Sequence, residues 1–369
     1  MKKLVVCLVM VIMLPLGTSL AGGEAVIKGA GASFPYPCYS QWTYKYYELT
    51  KVKVRYQSIG SGAGITQIKA RTVNFAGSDV PLHPDQLQEF NLVQFPMLLG
   101  GIVPIVNLKG VSPGGLRLTP EVLVNIFLRR ITRWSDPAIA GENPNLNLPD
   151  QEITVVHRED GSGTTFIFTN FLSKISPAWK EKVGSDKEVD WPTGIGAKQN
   201  EGVARRVMQI EGSIGYVEYA YAFQNRIPYA LVRNHDGNYI HPSTETFMAA
   251  ASKADWQKTP GFYVILTNQP GKFSWPIVGA TFILMHHNQP DPIQAQATLK
   301  FFDWAYRQGQ DIARKLHYVP LPDRVVRMIE ETWSQKIKAA NGSRIWAGWT
   351  PASSRRGETE ENRTGVQLP

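Results

Sequence analysis

The chain has 369 residues, 43% of them apolar and 19% charged, with a formal net charge of +8. That length and apolar content supply a sizeable core and suggest two domains rather than one. Only two cysteines occur, Cys7 and Cys38, and the basic residues are scattered, so a disulfide-stapled scaffold and a nucleic-acid binder both fit poorly.

The chain opens MKKLVVCLVMVIMLPLGTSLAGGEA: two lysines, an apolar run from Leu4 to Leu16, then small residues around Ser19 and Ala21. This pattern predicts a secretory signal peptide over 1–21, because the run is too short to span a bilayer easily. Cys7 lies inside the run and not at its end, so a lipid anchor there is not expected. Cleavage would remove Lys2 and Lys3 and lower the charge of +8 to +6. It would leave Cys38 alone, so core burial and not disulfides must supply stability.

From Ala25, strand-like and helix-like stretches alternate. AVIKG reads as a strand, GAGASFP as a glycine turn whose Pro35 and Pro37 suit a helix start, and CYSQWTYKYYELT as that helix. The strand KVKVRYQ, the turn SIGSGAG, the helix ITQIKART and the strand NFAGSDVPL follow. This series predicts an α/β domain with a mostly parallel sheet. Ser33, Ser61 and Asp79 each lie just beyond a predicted strand, the end at which open α/β sheets gather a ligand.

A second α/β unit is expected over about 107–276, with the helix TPEVLVNIFLRRITRW, the strand EITVVHR, the helix TTFIFTNFLSKI and the strand-like GSIGYVEYAYA. The chain then returns through the strand GATFILMHH and closes with helices over QATLKFFDWAYRQGQDIARKL and DRVVRMIEETWSQKI. The tail AGWTPASSRRGETEENRTGVQLP is polar and mixed in charge, so disorder is expected over 347–369.

Between EITVVHR and the helix after it lies HREDGSGTTF, which packs one arginine, two carboxylates, three hydroxyls and two glycines into ten residues. Glycines, hydroxyls and an arginine suit an anion cradle, because backbone N–H groups and a guanidinium donate into phosphate-like oxygens. Asp-Gly-Ser-Gly alone is also ordinary turn chemistry. Other motifs fail. GAGASF carries Phe34 where a dinucleotide fingerprint needs its third glycine, no stretch matches a P-loop, and Ser162 lacks the G-x-S-x-G frame of a serine hydrolase. His286 and His287 are adjacent and point to opposite faces of a strand, while His83, His157, His235, His241 and His317 show no metal spacing. The ten tryptophans are dispersed, and core packing explains them better than sugar stacking. Four polar segments remain: Ala32-Ser33-Phe34, Ser61, Asp79, and Arg158 to Thr164. Three lead into predicted helices, whose N-termini offer free N–H groups to an oxyanion, and two hinged units would close over it.

With these segments in place, the sequence closely resembles the periplasmic phosphate-binding proteins of phosphate-specific ABC transporters. The resemblance runs from about Ile27 to about Lys338 and includes GAGASFP, YQSIGSGAGITQI, FAGSDVPL, QFPMLLGGIVPIVN, VVHREDGSGTTF, GSIGYVEYAYA and KFFDWAY. It implies an α/β chain with the two-lobed type II periplasmic binding protein fold and the ligand in the interlobe cleft. Lobe I would be discontinuous, over 25–106 and 277–346, with lobe II over 107–276. The resemblance also implies inorganic phosphate as ligand, carried over position by position onto Ala32, Ser33, Phe34, Ser61, Asp79, Arg158, Asp160, Ser162, Gly163 and Thr164. As partners it implies the membrane permease subunits of the transporter with the ATPase behind them. A monomeric, non-enzymatic periplasmic protein without cofactor or metal is expected.

Two positions depart from the family pattern: Ser33 stands where threonine is common, and Glu159 adds a carboxylate that is expected to turn away from the cleft. Phosphate keeps at least one proton at neutral pH and sulfate keeps none. A carboxylate facing the ligand, for which Asp79 is the candidate, therefore accepts from phosphate and opposes sulfate. Asp160 is expected to orient and partly neutralise Arg158. An exported phosphatase would need a metal site or a base beside Ser162, and an adhesion or signalling role has only the tail in its support.

Overall fold

The computed structural model of the chain describes residues 26–347; the expected signal peptide and nearly all of the expected tail lie outside the described residues. In chain order come β1 (Ile27–Gly31), α1 (Tyr36–Thr50), β2 (Val54–Ser58), α2 (Ser61–Lys69), β3 (Phe75–Ser78), α3 (Pro84–Glu89) and β4 (Leu92–Val106). Strand β1 lies between β2 and β3 and is parallel to both. Cys38, Trp42 and Tyr46 recur every four residues in α1 and are buried on its inner face, the spacing that brings side chains onto one side of a helix. All fifteen residues of β4 are buried, so it shows no alternation of apolar and polar positions. Its first part, Leu92 to Gly101, is antiparallel to the returning strand, and its last part, Ile102 to Val106, is antiparallel to a strand of the middle segment.

That middle segment contains β5 (Leu116–Leu118), α4 (Pro120–Phe127), α5 (Pro137–Ala140), β6 (Thr154–Arg158), α6 (Gly163–Ile175), α7 (Pro177–Lys182), β7 (Ile195–Ala197), α8 (Gln199–Gln209), β8 (Ser213–Glu218), α9 (Tyr219–Gln224), β9 (Ala230–Val232) and α10 (Thr244–Ala251). Two expectations are corrected here. The helix expected to reach Trp134 stops at Phe127, because Arg129 turns into the left-handed region at φ 59°. Trp134 is instead fully buried and donates its indole N–H to Gly212 O at 2.8 Å. YAYA is not a strand but the start of α9, since the Glu218 carboxylate accepts from Ala220 N–H at 2.9 Å and caps a helix there.

The last segment contains β10 (Val278–His286), β11 (Asn288–Gln289), α11 (Pro292–Gln308), α12 (Gln310–Lys315), β12 (Val319–Pro320), α13 (Asp323–Lys336) and β13 (Lys338–Ala339). Strand β10 enters between β3 and β4 and is antiparallel to both. The resulting order is β2-β1-β3-β10-β4-β8-β6-β7, with β12 also on β4. The sheet is therefore mixed, and its parallel pairs are confined to β1 with β2 and β3, and to β6 with β7 and β8. The helix expected over 296–316 is two helices, parted at Gly309, whose carbonyl accepts from Trp42 Nε1 at 2.8 Å. Trp42, Trp134, Trp179, Trp275 and Trp333 are among the largest fully buried side chains, as core packing requires. His286 and His287 each bond a backbone carbonyl, that of Ile68 and that of Lys336.

The carboxyl ends of β1, β2, β3 and β6 fall at Gly31, Ser58, Ser78 and Arg158, just where the four polar segments begin.

Candidate functional site

Ser33, Ser61, Asp79, Arg158, Ser162 and Thr164 are each 3% exposed or less. Burial on that scale demands that their polar atoms find partners. Beyond β1, three consecutive carbonyls are held by three tyrosines from distant parts of the chain. Tyr56 OH donates to Ala32 O at 2.9 Å, Tyr221 OH to Ser33 O at 2.6 Å and Tyr318 OH to Phe34 O at 2.6 Å. A planar peptide whose carbonyl is held on one side turns the next N–H to the other. The tyrosines on Ala32 O and Ser33 O thus fix the peptide planes that carry the N–H groups of Ser33 and Phe34. Ala32 N–H itself donates to Gly77 O at 2.9 Å.

The hydroxyls are saturated as acceptors. Ser33 Oγ accepts from Asn200 N at 3.1 Å and from Asn200 Nδ2 at 2.9 Å, and Ser61 Oγ accepts from Asp79 N at 3.2 Å and Gly163 N at 3.1 Å. A hydroxyl has two acceptor positions and one proton, so each of these can offer a further group only its O–H. Thr164 Oγ1 accepts from the second hydrogen of Asn200 Nδ2 at 3.0 Å. Ser162 caps α6, accepting from Thr165 N–H at 3.0 Å, and presents the start of a thirteen-residue helix to the site.

Two glycines permit the close approach. Gly60 precedes α2 at φ 90°, and a Cβ there would stand 2.5 Å from Asp160 Oδ2. At Gly163 a Cβ would meet Asp79 Cβ at 2.4 Å and Ser61 Oγ at 2.7 Å, so no larger residue lets the start of α6 come this near to β3.

Arg158 Nε donates to Asp160 Oδ1 at 2.7 Å and Nη2 to Asp160 Oδ2 at 2.5 Å, a two-bond pair. Its buried Nη1 has no hydrogen-bond partner among the described residues. Burial works against the Asp160 charge, but the bonds and charge of Arg158, with Gln199 N–H at 3.0 Å, hold its carboxyl below the usual carboxylate range. Asp79 behaves oppositely. Burial pushes its pKa up to about 7, against the weaker pull of Thr281, Arg158 and Ser61. Its Oδ1 is buried and has no hydrogen-bond partner among the described residues. One unpaired donor and one unpaired acceptor therefore accompany two serine hydroxyls, those of Ser33 and Ser61, that can only donate.

All ten residues singled out in the sequence lie around these contacts. Glu159, as expected, is exposed and turned aside, its side chain lying over Gly196. Sequence reasoning missed Asn200, which is fully buried and joins Ser33, Thr164 and Glu218, the last through Glu218 N donating to Oδ1 at 3.0 Å. It also missed Tyr56, Tyr221 and Tyr318. Glu218 is fully buried, its Oε2 lying 2.7 Å from Tyr318 OH, and burial raises its pKa well above the ordinary carboxylate value. Among the described residues no group of three or more His, Cys, Asp or Glu is placed to hold a metal ion.

A family model described as a PBP superfamily domain matches residues 18–308. The chain is 52% identical over 320 residues to the phosphate-binding protein PstS of Pasteurella multocida, covering 87% of this chain and 93% of that one. Over 312 residues it is 52% identical to the PstS of Xylella fastidiosa strain 9a5c, covering 85% and 86%. Among solved structures, a phosphate binding protein from Stenotrophomonas maltophilia superposes with a TM-score of 0.67 at 19% identity, covering 86% of this chain and 96% of that one. This last likeness is one of fold.

Proposed function

The chain belongs to the phosphate-binding PstS family of the PBP superfamily, and from that membership we propose that it binds inorganic phosphate for delivery to a phosphate ABC importer. Two lobes, 25–106 with 277–346 and 107–276, close around the anion. The protein acts as a monomer in the periplasm after loss of 1–21 and hands phosphate to the permease subunits, whose ATPase drives uptake. It retains its ligand without turning it over.

One observation carries this reading. Arg158 Nη1 and Asp79 Oδ1 are buried without partners among the described residues, beside Ser33 and Ser61 hydroxyls whose acceptor positions are filled. The complementary ligand is a compact oxyanion with several acceptor oxygens and one proton. Monohydrogen phosphate has this form, and sulfate lacks the proton for Asp79. Ser33, Ser61, Ser162 and Thr164 donate through hydroxyls, Ala32 to Phe34 and Gly163 supply the backbone around the anion, Arg158 donates through Nη1, and Asp160 holds the guanidinium in place. Calorimetric titration of the mature protein with phosphate and with sulfate at pH 7 tests the proposal. Tight, saturable phosphate binding with much weaker sulfate binding is expected, and absence of phosphate binding overturns it.

A further inference from the structure

Asn200 stands at the second position of α8 and is fully buried. The direction of its amide is fixed by the protein, because Glu218 N–H can only donate and lies 3.0 Å from Oδ1. The Nδ2 group must then face the other way, and it divides its two hydrogens between Ser33 Oγ at 2.9 Å and Thr164 Oγ1 at 3.0 Å. The backbone N–H of Asn200 adds a second bond to Ser33 Oγ at 3.1 Å. The start of α8 is pinned by the preceding residue as well: Gln199 N donates to Asp160 Oδ1 at 3.0 Å, and the Gln199 side chain donates to Ser58 O.

A serine or threonine hydroxyl is ambivalent, since it donates or accepts as its surroundings dictate. In a site for an oxyanion that freedom is harmful, because a lone pair turned toward the ligand repels it. We propose that Asn200 is a positioning residue that removes this freedom, occupying acceptor positions on the Ser33 and Thr164 hydroxyls so that their protons turn to the bound anion. The inference rests on the phosphate reading above and extends it to a residue that does not itself touch phosphate. Asn200 also links Ser33, beyond β1, to Thr164, at the start of α6, so it sets the polarity of hydroxyls from two separate segments at once.

The test is a set of phosphate titrations on the full mature protein at fixed salt and pH 8. Asn200→Ala is expected to weaken phosphate binding about tenfold, in line with the loss of hydrogen bonds to buried groups. In a Ser33→Ala/Thr164→Val background the same change is expected to cost less than about twofold, because the hydroxyls through which Asn200 acts are gone. Equal losses in the two backgrounds overturn the proposal, since a residue that merely supports the fold costs the same in both.

Asn200→Asp provides a second readout if the alanine variant does not fold. It keeps the acceptor for Glu218 N–H but replaces the donor with an oxygen that draws both hydroxyl protons to itself. Its affinity relative to the parent is expected to fall about a hundredfold at pH 8 and to recover at least tenfold by pH 5, as protonation restores a donor. Glu201, Glu218, Asp79, Asp160 and Arg158 are present in both proteins, so the ratio to the parent cancels their titration. A ratio that does not change with pH overturns the proposal. A parent protein that fails to bind phosphate overturns the phosphate reading instead.

Discussion

Asp79 makes the site look wrong for an anion, and its titration gives the sharpest quantitative expectation. With its pKa pushed up to about 7 in the unliganded protein, the carboxyl is about half protonated at pH 7 and about one per cent protonated at pH 9. Sulfate has no proton to give, so it binds only to the protonated form. Its dissociation constant is therefore expected to rise about fiftyfold between pH 7 and pH 9, the protonation costing about 2.7 kcal/mol at the upper value. Monohydrogen phosphate brings its own proton to Asp79 Oδ1, and its affinity should change by less than about threefold over that range. The sign follows from the raised pKa: the neutral form that tolerates sulfate is present below about 7 and is lost as pH rises. In Asp79→Asn the amide carries no charge at any pH, so sulfate affinity should be flat and, at pH 9, far above that of the parent. Calorimetric titrations at fixed ionic strength measure all four curves. A parent with a flat sulfate profile, or an Asn variant with the same slope as the parent, refutes the reasoning and moves selectivity to another group.

Arg158→Ala removes a buried cation and leaves Asp160 with Gln199 N–H as its remaining bond at this end of the site; phosphate binding should weaken by about 3 kcal/mol, more than a hundredfold. Tyr221→Phe deletes the 2.6 Å bond to Ser33 O, and about 1 kcal/mol of phosphate affinity should go with it while the ligand-free protein still melts cooperatively. Gly163→Ala places a methyl where Asp79 Cβ would be 2.4 Å away; phosphate-induced thermal stabilisation should vanish in this variant, with the far-ultraviolet circular dichroism spectrum retained.

The candidate site was legible in the sequence wherever chemistry and local chain direction coincide. Ser33, Ser61, Asp79 and the run from Arg158 to Thr164 each follow a strand-like stretch and are polar where turns are polar, so their convergence is readable from α/β geometry alone. Asn200 carries no such mark. It lies just after the three-residue β7, in the first turn of the mainly polar α8, and its partners are 167, 36 and 18 positions away. Tyr318 and Phe34 are separated by 284 positions, a distance no periodicity encodes. In YVEYAYA the alternation of aromatic and small residues obeys the strand period, yet a cap from Glu218 to Ala220 N–H prevails over it. The early end of α4 at Phe127 has a similar cause, because the left-handed turn falls on Arg129, where no glycine announces it.

The late entry of β10 has a consequence for the order in which the molecule is completed. Ser78 pairs opposite Phe282, and Val93 opposite Met285, so the strands carrying the first part of the site are bridged by residues made about 200 positions later. Until Val278–His286 has left the ribosome, β3 and the first two-thirds of β4 remain open edges, whereas β6, β7 and β8 can already join one another. A long loop adds only slowly to the cost of closure, on the order of (3/2)RT ln n, but it cannot be closed before its far end exists. A chain wired in this way stays incompletely folded while most of it is being synthesised.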